Sequence, residues 1–182
     1  MPRVAPIADR SEVPPEYQDV AESVLQTFGG FRGPHSIMLL APRLDERVMA
    51  LGNFFRYDSV VKSPEKELAI ITAVREKDCL YIWSAQVGAS RRAGLREEAI
   101  AVVKERRDAA ELQPEEAAIV NYVRQLFQKN RIDQATFDAI KDRYGVQGLV
   151  ELTAVVGYYA MLAGVVNSVE LAGPEDGDKL PV

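Results

Sequence analysis

An all-α fold of about eight helices is what this sequence predicts, and three observations predict it. No segment alternates apolar and polar residues at period two between turn residues, so no strand is expected. Apolar residues instead recur at three-and-four spacing over most of the 182 residues. Proline stands where the periodic runs open and glycine where several of them close, which is the asymmetry of helix starts and stops.

Taken in order, residues 1–13 read as an irregular arm. Pro14 and Pro15 then open a helix with Tyr17, Val20, Ala21, Val24, Leu25 and Phe28 inward, closed by Gly29 and Gly30. Gly33 and Pro34 punctuate a loop that holds His35, followed by a short helical piece through Pro42. The next helix spans residues 44–57. Ser63 is positioned to cap a helix over residues 64–76, with Pro64 at its first position and Leu68, Ile71 and Val74 inward. Asp78 is the expected N-cap of a helix reaching Ala93, which makes Cys79 its first residue. A short helix over residues 96–106 follows, then one opened by Gln113 and Pro114, then one capped by Asp133 and closed by Gly145. The last helix, residues 147–171, is apolar all round, which is the mark of a central buried helix, and residues 173–182 read as a mobile tail.

The length fits one domain with a sizeable core, and 47% hydrophobic against 27% charged residues is the balance of a chain that folds. A formal charge of -5 gives no basic footprint, and the pair Arg91 and Arg92 is too short to track a phosphate backbone, so nucleic acid is not an expected partner. Cys79 is the only cysteine; no intrachain disulfide and no cysteine-based zinc site can form, and no metal is expected. The first ten residues hold Pro2, Pro6 and Asp9 and no apolar stretch, so no secretory leader is expected and the cytoplasm is the expected compartment. Residues 152–169 run for eighteen residues without a charge, the length at which a membrane span is considered. Thr153, Tyr158, Tyr159, Asn167 and Ser168 within it, and Glu151 and Glu170 at its ends, argue against one.

The chemistry concentrates in residues 63–95, SPEKELAIITAVREKDCLYIWSAQVGASRRAGL. This stretch resembles the core motif of the carboxymuconolactone decarboxylase and alkylhydroperoxidase (AhpD)-like superfamily. Redox members of that family place a glutamate, a cysteine twelve residues later, a second cysteine three beyond it and a histidine four further on. Here those positions hold Glu67, Cys79, Ile82 and Gln86. A branch reading Cys-x-Tyr-Glu-Trp-x-x-His is matched at Cys79, Tyr81 and Trp83. The resemblance extends upstream to Gly33-Pro34 and Pro42 and downstream to residues 150–169, and it implies an all-helical oligomer, a trimer or hexamer, with no cofactor.

The departures decide what the resemblance implies for activity. Two-cysteine peroxidases attack peroxide with one thiolate and resolve the sulfenic acid with a second thiol, and Ile82 cannot resolve anything. Gln86 has no pKa near neutrality with which to pass a proton; it can only orient. Asp78 next to Cys79 is expected to oppose thiol ionisation, whereas Lys77 and the helix start favour it. What survives is an acid or base in Glu67, relays in His35 (the only imidazole) and Tyr81, an apolar wall of Ile82 and Trp83, and Arg56 as a holder of a substrate carboxylate. Glu67 is expected on an enclosed pocket wall, away from a solvent face occupied by Lys66. The leading reading is a cofactor-free decarboxylase, lyase or isomerase acting by proton transfer on a small cyclic organic acid, lactone or enone. A one-cysteine hydroperoxide reductase using an external thiol, and a non-catalytic small-molecule-binding protein, are the alternatives.

Overall fold

The computed structural model describes residues 2–181 and contains, among them, eight α-helices and no strand. The helices are α1 (Gln18–Phe28), α2 (Pro34–Met38), α3 (Pro42–Asn53), α4 (Glu65–Glu76), α5 (Leu80–Arg92), α6 (Glu97–Lys104), α7 (Pro114–Lys129) and α8 (Gln134–Ser168). The chain divides into two compact units, one of residues 1–58 with 162–172, the other of residues 59–161 with 173–182.

In the first unit, α1 offers Val20, Ala21 and Val24 to a core that also takes Ile7, Val13, Leu39 and Met49. The amino-terminal arm therefore contributes two buried side chains, and its backbone is tied by Ile7 N–H to the Ser36 carbonyl at 2.8 Å. Gly29, at φ 69°, closes α1 in the left-handed region that glycine reaches without a Cβ penalty. His35, expected in a loop, lies instead in α2 and is buried, because Pro34 supplies the fixed φ of a helix start and not a loop turn. α3 begins at Pro42 and gives way at Phe54 to a single π turn, Phe54–Asp58.

In the second unit α4 packs against α5, α6 and α7. Every residue from Leu68 to Val74 is buried, so α4 is enclosed on all sides and not on the one stripe its periodicity suggests. Lys66, expected on a solvent face, is buried as well. Ser63 does not cap α4, whose N-cap is Pro64 with no side-chain bond. Gln113 and Glu116 form a capping box at the start of α7, and Asp133 accepts the Thr136 N–H at 2.8 Å at the start of α8.

α8 is interrupted at Gly145 (φ 67°, ψ -179°), where the sequence places a helix end. By length and composition α8 could cross a membrane, with a mean hydropathy of 1.8 over its most apolar window, of which 44% is buried. The all-round burial expected of it is thus found in α4: Ala154, Gly157, Met161 and Gly164 of α8 are exposed. Its charge-free run includes glycine and alanine, which carry no charge yet fill little of a core. Residues 173–181 run along α5, with Ser84 Oγ donating to the Asp178 carbonyl at 2.7 Å and Arg91 donating to the Asp178 carboxylate at 2.7 Å.

At Gly145 the backbone conformation is one that essentially only glycine adopts. Gly145→Ala is expected to cost about 1–3 kcal/mol in urea unfolding although no atom obstructs a Cβ there. An unchanged unfolding midpoint would mean that the break is not maintained in solution.

Candidate active site on the motif helix

The motif begins where the chain turns from α4 to α5. Asp78 takes φ 47° and pairs with Arg75 and Arg106, leaving Cys79 as the N-cap in place of the expected Asp78. The Cys79 carbonyl accepts the Trp83 N–H at 3.0 Å, and the amides of Tyr81 and Ile82 at the helix start act to lower the thiol's pKa although its side chain makes no cap hydrogen bond. Those donors favour a thiolate, but the residue is fully buried, and burial pushes the Cys79 thiol up from its ordinary value despite them. Asp78 is not the brake expected from sequence; its charge is exposed and met by two guanidinium groups, and loss of water from the thiol does the work instead.

One helical face of α5 then presents Cys79, Ile82 and Gln86, with Trp83 one turn beyond the thiol. Ile82 and Trp83 are buried and form the apolar wall. The indole Nε1 of Trp83 is sealed from solvent and has no acceptor among the described residues. Gln86 is half-buried and donates through Nε2 to the Tyr159 hydroxyl of α8 at 3.3 Å, and Tyr159 meets Tyr158 edge-on with ring centroids 5.3 Å apart. Tyr81 is half-buried.

Glu67 sits in the first turn of α4, half-buried, with Oε2 shielded from solvent. Beside it burial pushes the Lys66 ammonium down, while the charges of Glu67 and Glu151 act to keep it protonated. Glu151 itself is buried on α8. Burial alone would raise its carboxyl, but bonds from Gln147, Ser59 and the Val60 N–H, with the charge of Lys66, outweigh that and hold it below the ordinary carboxylate value. Lys66 and Glu151 are members of this polar cluster that periodicity could not reveal. The only hint was the echo between Glu67-Leu68 and Glu151-Leu152, each a glutamate leading into an apolar run.

A hollow of about 290 Å³ opens at the start of α4, lined by Glu65, Leu68, Gln113, Ile119 and Arg143 among others; Glu67 is not one of its lining residues. Among the described residues no group of three His, Cys, Asp or Glu is placed to share a metal ion. His35 and Arg56 belong to the first unit. Arg56 is exposed on the π turn, donates to Asn53 Oδ1 at 3.0 Å and lies over the rings of Phe28 and Tyr57; among the described residues it pairs with no carboxylate. His35 donates or accepts through Nδ1 with Asp45, a partner that sequence reading missed.

Comparison with known structures gives the architecture a precedent. A peroxidase-related protein with an alkylhydroperoxidase AhpD core from Ralstonia eutropha JMP134 superposes with a TM-score of 0.76 at 13% identity, over 96% of this chain and 93% of that one. The chain has the AhpD core fold. A peroxidase-related protein from Silicibacter sp. TM1040 shares the AhpD-like fold with a TM-score of 0.73 at 14% identity, covering 96% and 93% of the two chains. A protein of unknown function from Agrobacterium tumefaciens matches at 0.68 and 18% identity, over 76% of this chain and 96% of that one. At such identities the likeness establishes the AhpD-like fold and leaves the reaction to the site. No protein-family model matches the chain, and no curated protein sequence matches it.

The buried thiol yields a direct test. Iodoacetamide at about pH 7.5 should alkylate Cys79 in the folded protein at least ~10-fold more slowly than in the urea-unfolded chain, since only the thiolate reacts and burial disfavours it. Equal rates by mass spectrometry would show an open, ionisable thiol.

Proposed function

We propose that the chain is a cofactor-free enzyme of proton transfer, in which Glu67 removes or returns a proton at a carbon next to a carbonyl of a small cyclic organic acid, lactone or enone. The observation that carries this reading is the sealed indole N–H of Trp83, a donor on the motif helix that no described residue uses. A buried donor without an acceptor costs about 1–3 kcal/mol, so it is best explained by a ligand oxygen that takes the bond. A base that takes the carbon proton and a fixed donor that meets the enolate oxygen are the two parts an enolisation needs. Glu67, with Oε2 out of solvent, supplies the first, and Gln86, bonded to Tyr159, helps to orient the bound molecule.

Glu67→Gln should lower solvent-deuterium exchange into a substrate lactone or keto acid by at least ~100-fold, the usual worth of a general base, while the urea midpoint stays close to that of the parent. Exchange that survives in Glu67→Gln would sink the reading. The place of Cys79 at the N-cap of α5, where the Tyr81 and Ile82 amides act to lower its pKa, favours a second reading, one-cysteine hydroperoxide reduction. There the thiolate sulfur would take one peroxide oxygen, releasing an alcohol, and two external thiols would restore it with loss of water. Hydroperoxide consumption that needs an added thiol and disappears in Cys79→Ser would select it over proton transfer.

We also propose self-association through α8. Val146, Val150, Ala154, Gly157, Met161 and Gly164 recur at three-and-four spacing and are all exposed, an apolar stripe that a second copy can cover at close range because half of it is alanine or glycine. Light scattering should give a multiple of 20.2 kDa at micromolar concentration, and Val150→Asp with Met161→Asp should reduce it to the monomer. A parent protein already monomeric under those conditions would refute it.

A further inference from the structure

The first unit holds a second polar constellation that the reading of Glu67 does not use. His35 is the only imidazole of the chain, and it is buried with Nδ1 at 2.7 Å from Asp45 Oδ1. Asp45 lies in the first turn of the twelve-residue helix α3, with its own N–H bonded to the Ala41 carbonyl at 3.1 Å. It is completely enclosed, and Oδ2 has no hydrogen-bond partner among the described residues. Phe28 stacks on the imidazole with ring centroids 4.4 Å apart and planes 21° apart, so the ring plane is fixed from one face while Asp45 fixes its rotation. Among the described residues no group bonds Nε2.

A purely structural pair is poorly served by this arrangement. Burying a carboxylate with one oxygen unmatched is unfavourable, and apolar residues of similar volume usually serve a core as well or better. What the arrangement does secure is a tautomer. With Asp45 Oδ1 as the acceptor of the 2.7 Å bond, the proton of the imidazole resides on Nδ1 and the lone pair is left on Nε2.

We propose that His35 and Asp45 form a second acid–base centre, in which Asp45 is the positioning residue and His35 Nε2 accepts the proton of a hydroxyl group on a small bound molecule. The transfer is a simple one: the O–H bond breaks, the proton passes to Nε2, the imidazolium is stabilised by Asp45, and the oxygen keeps the electron pair. The carboxylate does not itself take the proton. The ligand class this sets is a small molecule that carries a hydroxyl group.

With one histidine per chain, diethyl pyrocarbonate reports on His35 alone through the absorbance of the ethoxycarbonyl imidazole, and nitrogen-15 NMR of the same ring reports its tautomer. The expected results at pH 7 are a neutral ring protonated at Nδ1, one ethoxycarbonyl group per folded chain, and a rate at least ~10-fold lower in Asp45→Asn, whose amide can donate to Nδ1 and reverse the tautomer. A merely structural pair would set the same tautomer and leave the ring of the folded chain unreactive. A ring protonated at Nε2 or at both nitrogens, or a histidine that reacts only after unfolding, overturns the proposal. The reaction of the folded parent chain with diethyl pyrocarbonate needs no variant, so it decides the matter even where Asp45→Asn fails to fold.

Discussion

Enclosure of α4 is the constraint from which the second unit follows. A helix buried at every position from Leu68 to Val74 must be covered on all sides, and α5, α6 and α7 pack against it. Its small residues, Ala69 and Ala73, keep those neighbours close, and Thr72 satisfies its hydroxyl within the helix by donating to the Leu68 carbonyl at 2.7 Å. The cost falls at the ends, where charged residues are drawn inside with the helix. Lys66 at one end meets Glu67 and Glu151; Arg75 at the other donates to the Lys104 carbonyl at 2.8 Å and pairs with Asp78. Desolvated charges of this kind are tolerated only when paired, so the polar cluster around Glu67 is a consequence of how deeply its helix is buried.

The same depth governs the thiol. A cysteine at a helix N-cap, where the first amides of the helix lower the thiol's pKa, is the arrangement that elsewhere produces a reactive thiolate, and at Cys79 burial overrides it. Access and activation are therefore opposed at one atom. Chemistry at Cys79 requires an opening that admits water or substrate, and proton transfer at the sealed oxygen of Glu67 would require one as well.

The helices were legible in the sequence because each depends on neighbours three and four residues away, and the capping residues Gln113, Glu116 and Asp133 act within one turn. Partners distant along the chain were not. Asp45 lies ten residues from His35 and Glu151 lies ninety-one from Val60, separations that carry no periodic signal. Cys79 was placed one residue too far into its helix because Asp78 looks like a cap, yet its carboxylate is drawn outward by Arg75 and Arg106. Lys66 was assigned to solvent from its charge, a rule that fails where two carboxylates follow a lysine inside. α8 was taken as central because the eighteen residues 152–169 carry no charge, and glycine and alanine extend such a run although they leave a helix face nearly flat.

The carboxy-terminal strap along α5 limits how this chain can be altered. A Cβ at Gly177 would come within 2.7 Å of the Ser84 side chain, and one at Gly173 would press on Leu80 and the Tyr81 backbone. Drift toward larger residues at either glycine therefore has to be answered on the motif helix, and a bulkier residue at Ser84 has to be answered in the strap. Residues 173–181 and the first two turns of α5 are free to diversify only as a pair, so a change in the strap is felt on the helix that holds the isoleucine and the tryptophan.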